Sequence, residues 1–176
     1  DLRSSWPVHG TSGYEFTNLL NGLFVDTSAA ERMERLYKSF IGEHVNFDDL
    51  LYRSKQLIMK TALAGELNVL ANLISKIAEA DRHTCDYTLN GLRTALAEII
   101  ACFPVYRGYI SAREVAPEDR RNIERATAAA KQRSTTADPS IYDFLRDVLT
   151  LAAAQGKSPK YAEQVLTFAM KFQQLT

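Results

Sequence analysis

Cysteine is scarce in this sequence, and neither sign of charge is in excess. The 176 residues include 2 cysteines, Cys85 and Cys102, too few for the disulfide framework of a small secreted domain. Lys and Arg total 21, as do Asp and Glu, so no net field attracts nucleic acid. The 46% hydrophobic and 24% charged content is typical of globular domains and argues against a disordered chain or a membrane span. We therefore expect a cytoplasmic domain with neither nucleic acid nor a membrane as partner.

The first residues lack both an initiator methionine and a secretory signal. The sequence opens at Asp1, and no cationic and then apolar segment follows it. We therefore expect an excised piece of a longer protein or a processed product.

Apolar residues recur at helical spacing in the first half of the chain. Phe16, Leu19, Leu20, Leu23 and Phe24 predict a short helix. Ser28 with Glu31 predicts a capping box in front of a second helix that ends at Gly42. Between Asn46 and Asp81 there is no proline, and the seam of Leu63, Leu67, Leu70, Ile74 and Ile77 predicts one very long helix. Gly65 inside it favours either a close helix neighbour or a bend.

The second half of the chain repeats the helical pattern, with one interruption. Leu89 to Ile100 predicts a helix that stops before Pro104, and residues 104–110 are typical of an extended stretch. Further helices are predicted at Pro117, after Asp138–Pro139 and after Ser158–Pro159. The sequence therefore predicts an all-α fold, a bundle of six to seven helices with an N-terminal loop and this extended stretch.

Two pairs of carboxylates could suit acid–base chemistry. Asp48 with Asp49 and Glu118 with Asp119 each fall in the first turn of a predicted helix. Acids there are stabilised by the exposed N–H groups and the helix dipole. We interpret both pairs as structural rather than catalytic.

A metal site would need more ligands than the sequence groups together. His83, Cys85 and Asp86 are close in sequence, but no second group stands at a suitable spacing. Cys102 lies in an apolar run and is interpreted as a small core residue. We expect neither a metal nor another cofactor.

The stretch WPVHGTSGYEF, Trp6 to Phe16, combines aromatic, glycine and hydroxyl residues in front of a helix. It lacks the lysine and the spacing of a phosphate-binding loop. Exposed Trp6, His9 and Tyr14 would suit stacking on a sugar ring, because aromatic faces pack on the C–H faces of pyranoses. A turn that only anchors the first helix is the alternative.

A second aromatic group stands in the predicted extended stretch. Tyr106, Arg107 and Tyr109 surround Gly108, and strand alternation predicts Tyr106 and Arg107 on opposite faces. The group could contact a ligand or a second domain, although packing of the break between helices is favoured.

Five stretches together resemble the central part of the maltooligosyltrehalose synthase family of the α-amylase superfamily, whose catalytic domain is a (β/α)8 barrel. They occur in the family's order from near Ser5 to Thr176 and read SSWPVHGTSGYEFTNLLNGLFVD, LAGELNVLANLISKIAEADR, TLNGLRTALAEIIACFPVYRGYI, SIYDFLRDVLTL and FAMKFQQLT. Several long segments in register are more specific than one short motif. The departures are mild: Ser12 and Glu15 replace an expected threonine and aspartate, and Gly65 and Gly91 stand where serine is more usual.

The resemblance implies an enzyme that converts the reducing-end α-1,4 bond of a maltooligosaccharide into an α,α-1,1 bond by intramolecular transglucosylation. The family's aspartate nucleophile and glutamate acid/base precede the Trp-Pro-Val stretch, and its third catalytic aspartate follows the Gln-Gln-Leu-Thr stretch. We therefore expect residues 1–14 to be a loop from the barrel rim and residues 15–176 to be a helical subdomain without catalytic residues, inactive alone. Its partners would be the barrel of the same chain and the maltooligosaccharide.

The substrate-facing residues expected under this resemblance are His9, Gly10, Thr11, Gly13 and Tyr14, with Tyr106, Arg107 and Tyr109 as second candidates. We expect at most weak sugar binding by the isolated chain. One alternative is a free-standing helical interaction module, which predicts a closed polar surface apart from one partner groove. Another is a carbohydrate-binding module that works alone.

Overall fold

A computed structural model describes residue 6 and residues 8–10, 12–112, 114–135 and 138–176. The regular structure in these ranges is helical, with no β-strand, so the all-α prediction is confirmed. Within the described ranges there are eight α-helices rather than six to seven. They are α1 (Tyr14–Gly22), α2 (Ala30–Ile41), α3 (Phe47–Lys60), α4 (Ala64–Glu79), α5 (Leu89–Ala101), α6 (Pro117–Arg133), α7 (Pro139–Leu149) and α8 (Pro159–Leu175).

The chain divides into two compact units, residues 1–46 and residues 47–176. The first unit contains α1 and α2, neither of which has a buried residue. A short 3-10 helix, Thr27–Ala29, precedes α2, and the Asp26 carboxylate caps it by accepting the Ser28 N–H at 3.0 Å. The predicted capping box at Ser28 is therefore wrong, because Asp26 takes the capping role two residues earlier. Gly42 ends α2 with a left-handed φ of 72°, as predicted.

The very long helix predicted from Asn46 is two helices. α3 and α4 meet at a bend of 83° across Thr61 to Leu63. The Thr61 hydroxyl donates back to the Leu57 carbonyl at 2.8 Å, and the Leu63 N–H reaches the Ile58 carbonyl at 2.9 Å. A Cβ on Gly65 would meet nothing within 4 Å. Gly65 therefore adjoins a bend and admits no close helix neighbour.

The core of the second unit is built around α5. This helix contacts α3, α4, α6 and α7, while α8 packs on α4 and α7. Leu92, Leu96 and Ile99 of α5 are fully buried. A Cβ on Gly91 would lie 3.2 Å from the Ile141 Cδ1 atom, so glycine allows α5 and α7 to approach closely.

The helix starts in this unit follow the sequence signals. Proline occupies the first position of α6, α7 and α8, where its missing N–H costs nothing. The side chains of Thr88, Asp138 and Ser158 each accept a backbone N–H at the start of α5, α7 and α8. Between α5 and α6 the described residues are neither helix nor strand, so the predicted stop before Pro104 is confirmed.

Candidate functional site

The segment from Tyr106 to Ile110 is tied to two buried polar side chains of the bundle. Gln173 on α8 accepts the Ile110 N–H through its Oε1 atom and donates its Nε2 to the Ile110 carbonyl at 3.1 Å. Asp119, in the first turn of α6, accepts the Tyr109 N–H at 3.1 Å. Both side chains are 4% exposed. The amide of Gln173 therefore pairs with Ile110 as a neighbouring strand would.

Gly108 makes this attachment possible. This residue of the segment is buried. A Cβ atom on it would lie 3.2 Å from the Gln173 Oε1 atom and 3.8 Å from the Asp119 Oδ1 atom. A larger residue would therefore push on the Gln173 side chain that holds the backbone, whereas the distance to Asp119 is an ordinary van der Waals contact. The requirement here is close approach, because Gly108 has no positive φ.

A cleft of about 200 Å³ opens beside this anchored segment. Tyr106 lies at the edge of this cleft and is 88% exposed. The guanidinium carbon of Arg107 lies 5.9 Å from the centre of the Tyr109 ring. The cleft is lined by Tyr106, Arg107, Gln173, Gln174, Leu175 and Thr176. Tyr106 and Arg107 thus share one cleft, and the predicted placement on opposite faces is wrong because the segment is not a strand.

This cleft combines an aromatic face with several groups that can form hydrogen bonds. Tyr106 offers a ring and a hydroxyl, Arg107 offers donors, and the amide of Gln174 offers both a donor and an acceptor. Gln173 is already engaged with Ile110. Such a set can bind a flat polar ligand with hydroxyl groups, since the ring covers one face while the polar groups bond its edge.

The other predicted site residues belong to the N-terminal unit. His9 and Gly10 are exposed, Gly13 is half-buried, and Tyr14 is 78% exposed. Gly13 has a left-handed φ of 89° at the start of α1, and its carbonyl accepts the Thr17 hydroxyl at 3.0 Å. Thr11 lies outside the described residues. The candidates therefore form two groups, one in each unit.

Sequence reasoning missed three residues of the site in the second unit. Gln173 and Gln174 stand near the end of α8, far along the chain from the segment they serve, and glutamine gives no local signal of such a role. The helix dipole predicts a structural role for Asp119 but not a bond to another segment. Asp119 is buried and also bonds the Tyr109 N–H. Gln173 is far in sequence from Gly108 and Asp119, and only the structure shows that the three residues lie close together.

A second polar cluster joins α3 to α5. The Tyr52 hydroxyl donates to the Glu98 Oε2 atom at 2.6 Å, and the Gln56 amide donates to the other carboxylate oxygen at 3.0 Å. Burial, and then Glu98, raise the pKa of Tyr52 to about 12. The Arg133 guanidinium lies 4.6 Å from the Tyr52 ring centre and pairs with Asp49 at 3.3 Å. The cluster fixes the polar face of α3 on the bundle.

Cys102 stands beside this cluster and is half-buried. Burial raises the pKa of its thiol, and the Glu98 charge raises it further. Lys55 donates to the Phe103 carbonyl at 2.9 Å, and burial lowers the pKa of its ammonium group. A thiol whose pKa is raised stays protonated at neutral pH, so Cys102 is a poor nucleophile.

The remaining sequence candidates lie where the helix signals place them. Asp48 and Asp49 are in the first turn of α3, and Glu118 and Asp119 in that of α6. His83, Cys85 and Asp86 are exposed in the turn after α4. Across the described part of the chain, no group of three or more His, Cys, Asp or Glu side chains could hold a metal ion.

Within the described ranges no helix is by itself long and apolar enough to cross a membrane, whereas α3 and α4 taken together, bent by 83°, meet the length and composition required.

Comparison with protein families, curated proteins and solved structures finds no family model, no curated protein and no solved structure that matches this chain.

Proposed function

We propose that this chain is the helical subdomain of an intramolecular glucosyltransferase of the maltooligosyltrehalose synthase type, working in the cytoplasm on maltooligosaccharides. The proposal rests on the five resembling stretches, which span nearly the whole sequence in the family's order. The nucleophile, the acid/base and the third catalytic carboxylate belong to the barrel of the same polypeptide. This chain shapes the substrate cleft and has no mutase activity alone.

The structural observation that supports the proposal is the cleft at Tyr106. An exposed aromatic ring beside Arg107 and Gln174, on a backbone fixed by buried side chains, has the chemistry that glucose rings require. A segment that merely packed the break between helices would bury its aromatic rings, yet the Tyr106 ring is 88% exposed. His9, Gly10, Thr11, Gly13 and Tyr14 are proposed as a second sugar-facing loop, from their position in the first resembling stretch.

The exposed apolar surface supports attachment to a larger body. On α3 the half-buried face carries Tyr52, Lys55 and Gln56, while the opposite face is apolar and exposed at Phe47, Leu50, Leu51, Leu57 and Ile58. On α2 the apolar residues Met33, Leu36, Tyr37 and Phe40 are each exposed by 57% or more, while Ile41 at the end of the helix is half-buried. Monomeric proteins rarely leave such stripes in water. We propose that the barrel covers them.

A free-standing interaction module is the alternative. It would have a closed polar surface with one partner groove, and the apolar stripes of α2 and α3 are more extensive than that. The encoding reading frame discriminates between the two. The proposal requires aspartate and glutamate catalytic motifs upstream and an aspartate motif downstream, and stop signals near both ends would contradict it.

The activity is tested on the full-length polypeptide with maltohexaose. We expect reducing ends to disappear while little free glucose is released, because the anomeric hydroxyl of the terminal glucose becomes the acceptor. Tyr106→Ala or Tyr14→Ala should weaken substrate binding or raise the ratio of hydrolysis to transglucosylation, since water then competes better for the glycosyl-enzyme. Lys160→Ala, at the exposed start of α8, is the matched control. Unchanged binding and an unchanged ratio in either variant would contradict the proposed sugar contact of that tyrosine.

A further inference from the structure

The buried side chains of Gln173 and Asp119 bind the backbone of a surface segment, which packing of the core does not require. Burying an amide and a carboxylate costs free energy that apolar side chains of similar size avoid. Both groups form hydrogen bonds with the backbone of one surface segment, at the successive residues Tyr109 and Ile110. The Gln173 Nε2 atom also lies 3.7 Å from the Met170 sulfur, a weaker contact within α8. Their joint effect is to fix the path of that segment.

The fixed path determines where the cleft residues stand. Gly108, Tyr109 and Ile110 are held against α6 and α8, and Arg107 and Tyr106 directly precede them. Tyr106 is thus three residues from the first anchored backbone N–H, that of Tyr109, although its own side chain is almost fully exposed. Ordering a loop in advance reduces the entropy that a ligand must remove on binding.

We propose that Gln173 and Asp119 are positioning residues that hold residues 106–110 in the conformation in which Tyr106 and Arg107 meet a bound glucan. The inference rests on the proposed sugar-binding role of this cleft. Neither residue needs to touch the sugar. The Gln173 amide acts through Ile110, and the Asp119 carboxylate acts through Tyr109.

Gln173→Glu in the 176-residue chain tests the Gln173 bridge with a change of only one atom. The protonated acid can still accept the Ile110 N–H and donate to the Ile110 carbonyl, whereas the ionised form has lost its donor. Burial and the neighbouring Asp119 carboxylate both favour the protonated form and so raise the pKa of the new acid. We expect the Ile110 amide to stay protected from hydrogen exchange at low pH, and its protection factor to fall at least about tenfold as rising pH ionises this acid.

Two further variants keep this test interpretable. Gln164→Glu makes the same change elsewhere on α8 and should leave the Ile110 amide protected at every pH. Gly108→Ala places a methyl group 3.2 Å from the Gln173 Oε1 atom and should loosen the bridge without any change of charge. An Ile110 amide that stays equally protected in Gln173→Glu and Gly108→Ala overturns the positioning role.

Sugar binding is then measured by titrating the same variants with maltopentaose and following amide chemical shifts. We expect Gln173→Glu to bind as the unaltered chain does at low pH and about tenfold more weakly once the new acid has ionised, in parallel with Ile110 protection. Tyr106→Ala should abolish the shifts but leave Ile110 protected. If the unaltered chain shows no shifts at Tyr106 or Arg107, the proposed sugar site fails, and exchange at Ile110 still decides whether the bridge holds the segment. If affinity is unchanged while protection is lost, the positioning inference alone fails.

Discussion

Replacing Tyr52 by phenylalanine isolates one hydrogen bond between α3 and α5. The change removes the hydroxyl that donates to the Glu98 carboxylate at 2.6 Å, while Gln56 keeps its bond to the other oxygen. A hydrogen bond to a charged group contributes about 1.5–3 kcal/mol to stability. Because this site is half-buried and water can replace part of the lost bond, we expect Tyr52→Phe to lower the free energy of unfolding by about 1.5 kcal/mol at neutral pH.

The same bond makes a prediction about pH. The pKa of Tyr52 is raised from 10.0 to about 12, first by burial and then by Glu98. A pKa raised in the folded state stabilises fully below the unfolded value of 10.0, and this contribution is lost as pH rises to about 12. Two units correspond to about 2.7 kcal/mol, which solvent screening at a partly exposed ring reduces to about 1.5 kcal/mol. The difference between wild type and Tyr52→Phe should therefore shrink above pH 10.

Urea unfolding followed by circular dichroism, at neutral pH and at intervals above pH 9, measures both effects. Tyr106→Phe removes a hydroxyl from a side chain that is 88% exposed and should change stability by less than about 0.5 kcal/mol. A Tyr52→Phe effect no larger than that control, or one that stays constant as pH rises, would refute the bond as the link that holds α3.

Four further outcomes follow from single contacts. Leu92→Ala empties a position that is 0% exposed and should lower the free energy of unfolding by about 2–5 kcal/mol in urea titrations. Thr88→Ala removes the side chain that accepts the Gly91 N–H at 3.1 Å and should cost about 1 kcal/mol in the same assay. Lys157 bonds Asp81 at 2.6 Å and lowers the pKa of that carboxyl. Lys157→Met should therefore raise the pKa measured by carbon NMR and reduce the stability that is lost as pH falls through it. Phe40→Ser changes a side chain that is 89% exposed, so the free energy of unfolding should change by less than about 0.5 kcal/mol in urea titrations.

Local chemistry explains which parts of the fold the sequence predicts. Prolines at the helix starts and the capping residues Thr88, Asp138 and Ser158 act within one turn, so they are readable directly. The bend between α3 and α4 is not, because the apolar spacing continues on both sides of Thr61 to Leu63. Gly65 is the one residue near the bend that indicates an irregularity, and from sequence it is compatible with either a bend or a close helix neighbour.

Periodicity also predicts an apolar face without saying what that face contacts. On α3 the apolar residues Leu50, Leu57 and Ile58 point away from the bundle, and the polar Tyr52 and Gln56 bond Glu98 instead. A hydrophobic pattern is therefore a prediction that something covers the face, and the covering body need not be the nearest helices.

The sequence predicts the exposed residues of the candidate site but not the buried side chain that holds them. Tyr106, Arg107 and Tyr109 stand out in sequence as aromatic and basic residues around a glycine. Gln173 bonds Ile110 across 63 positions of the chain, and no local pattern marks a glutamine for that task. Long-range hydrogen bonds of single polar side chains require the structure.

The most direct test of the sugar-binding role is titration of the 15N-labelled chain with maltopentaose. A single aromatic platform with a few hydrogen bonds supports a dissociation constant on the order of 1 mM, about −4 kcal/mol. We predict saturable amide shifts at Tyr106, Arg107 and Gln174, and their loss in Tyr106→Ala. Shifts that are absent from these residues, or that persist unchanged in Tyr106→Ala, would contradict glucan recognition at this cleft.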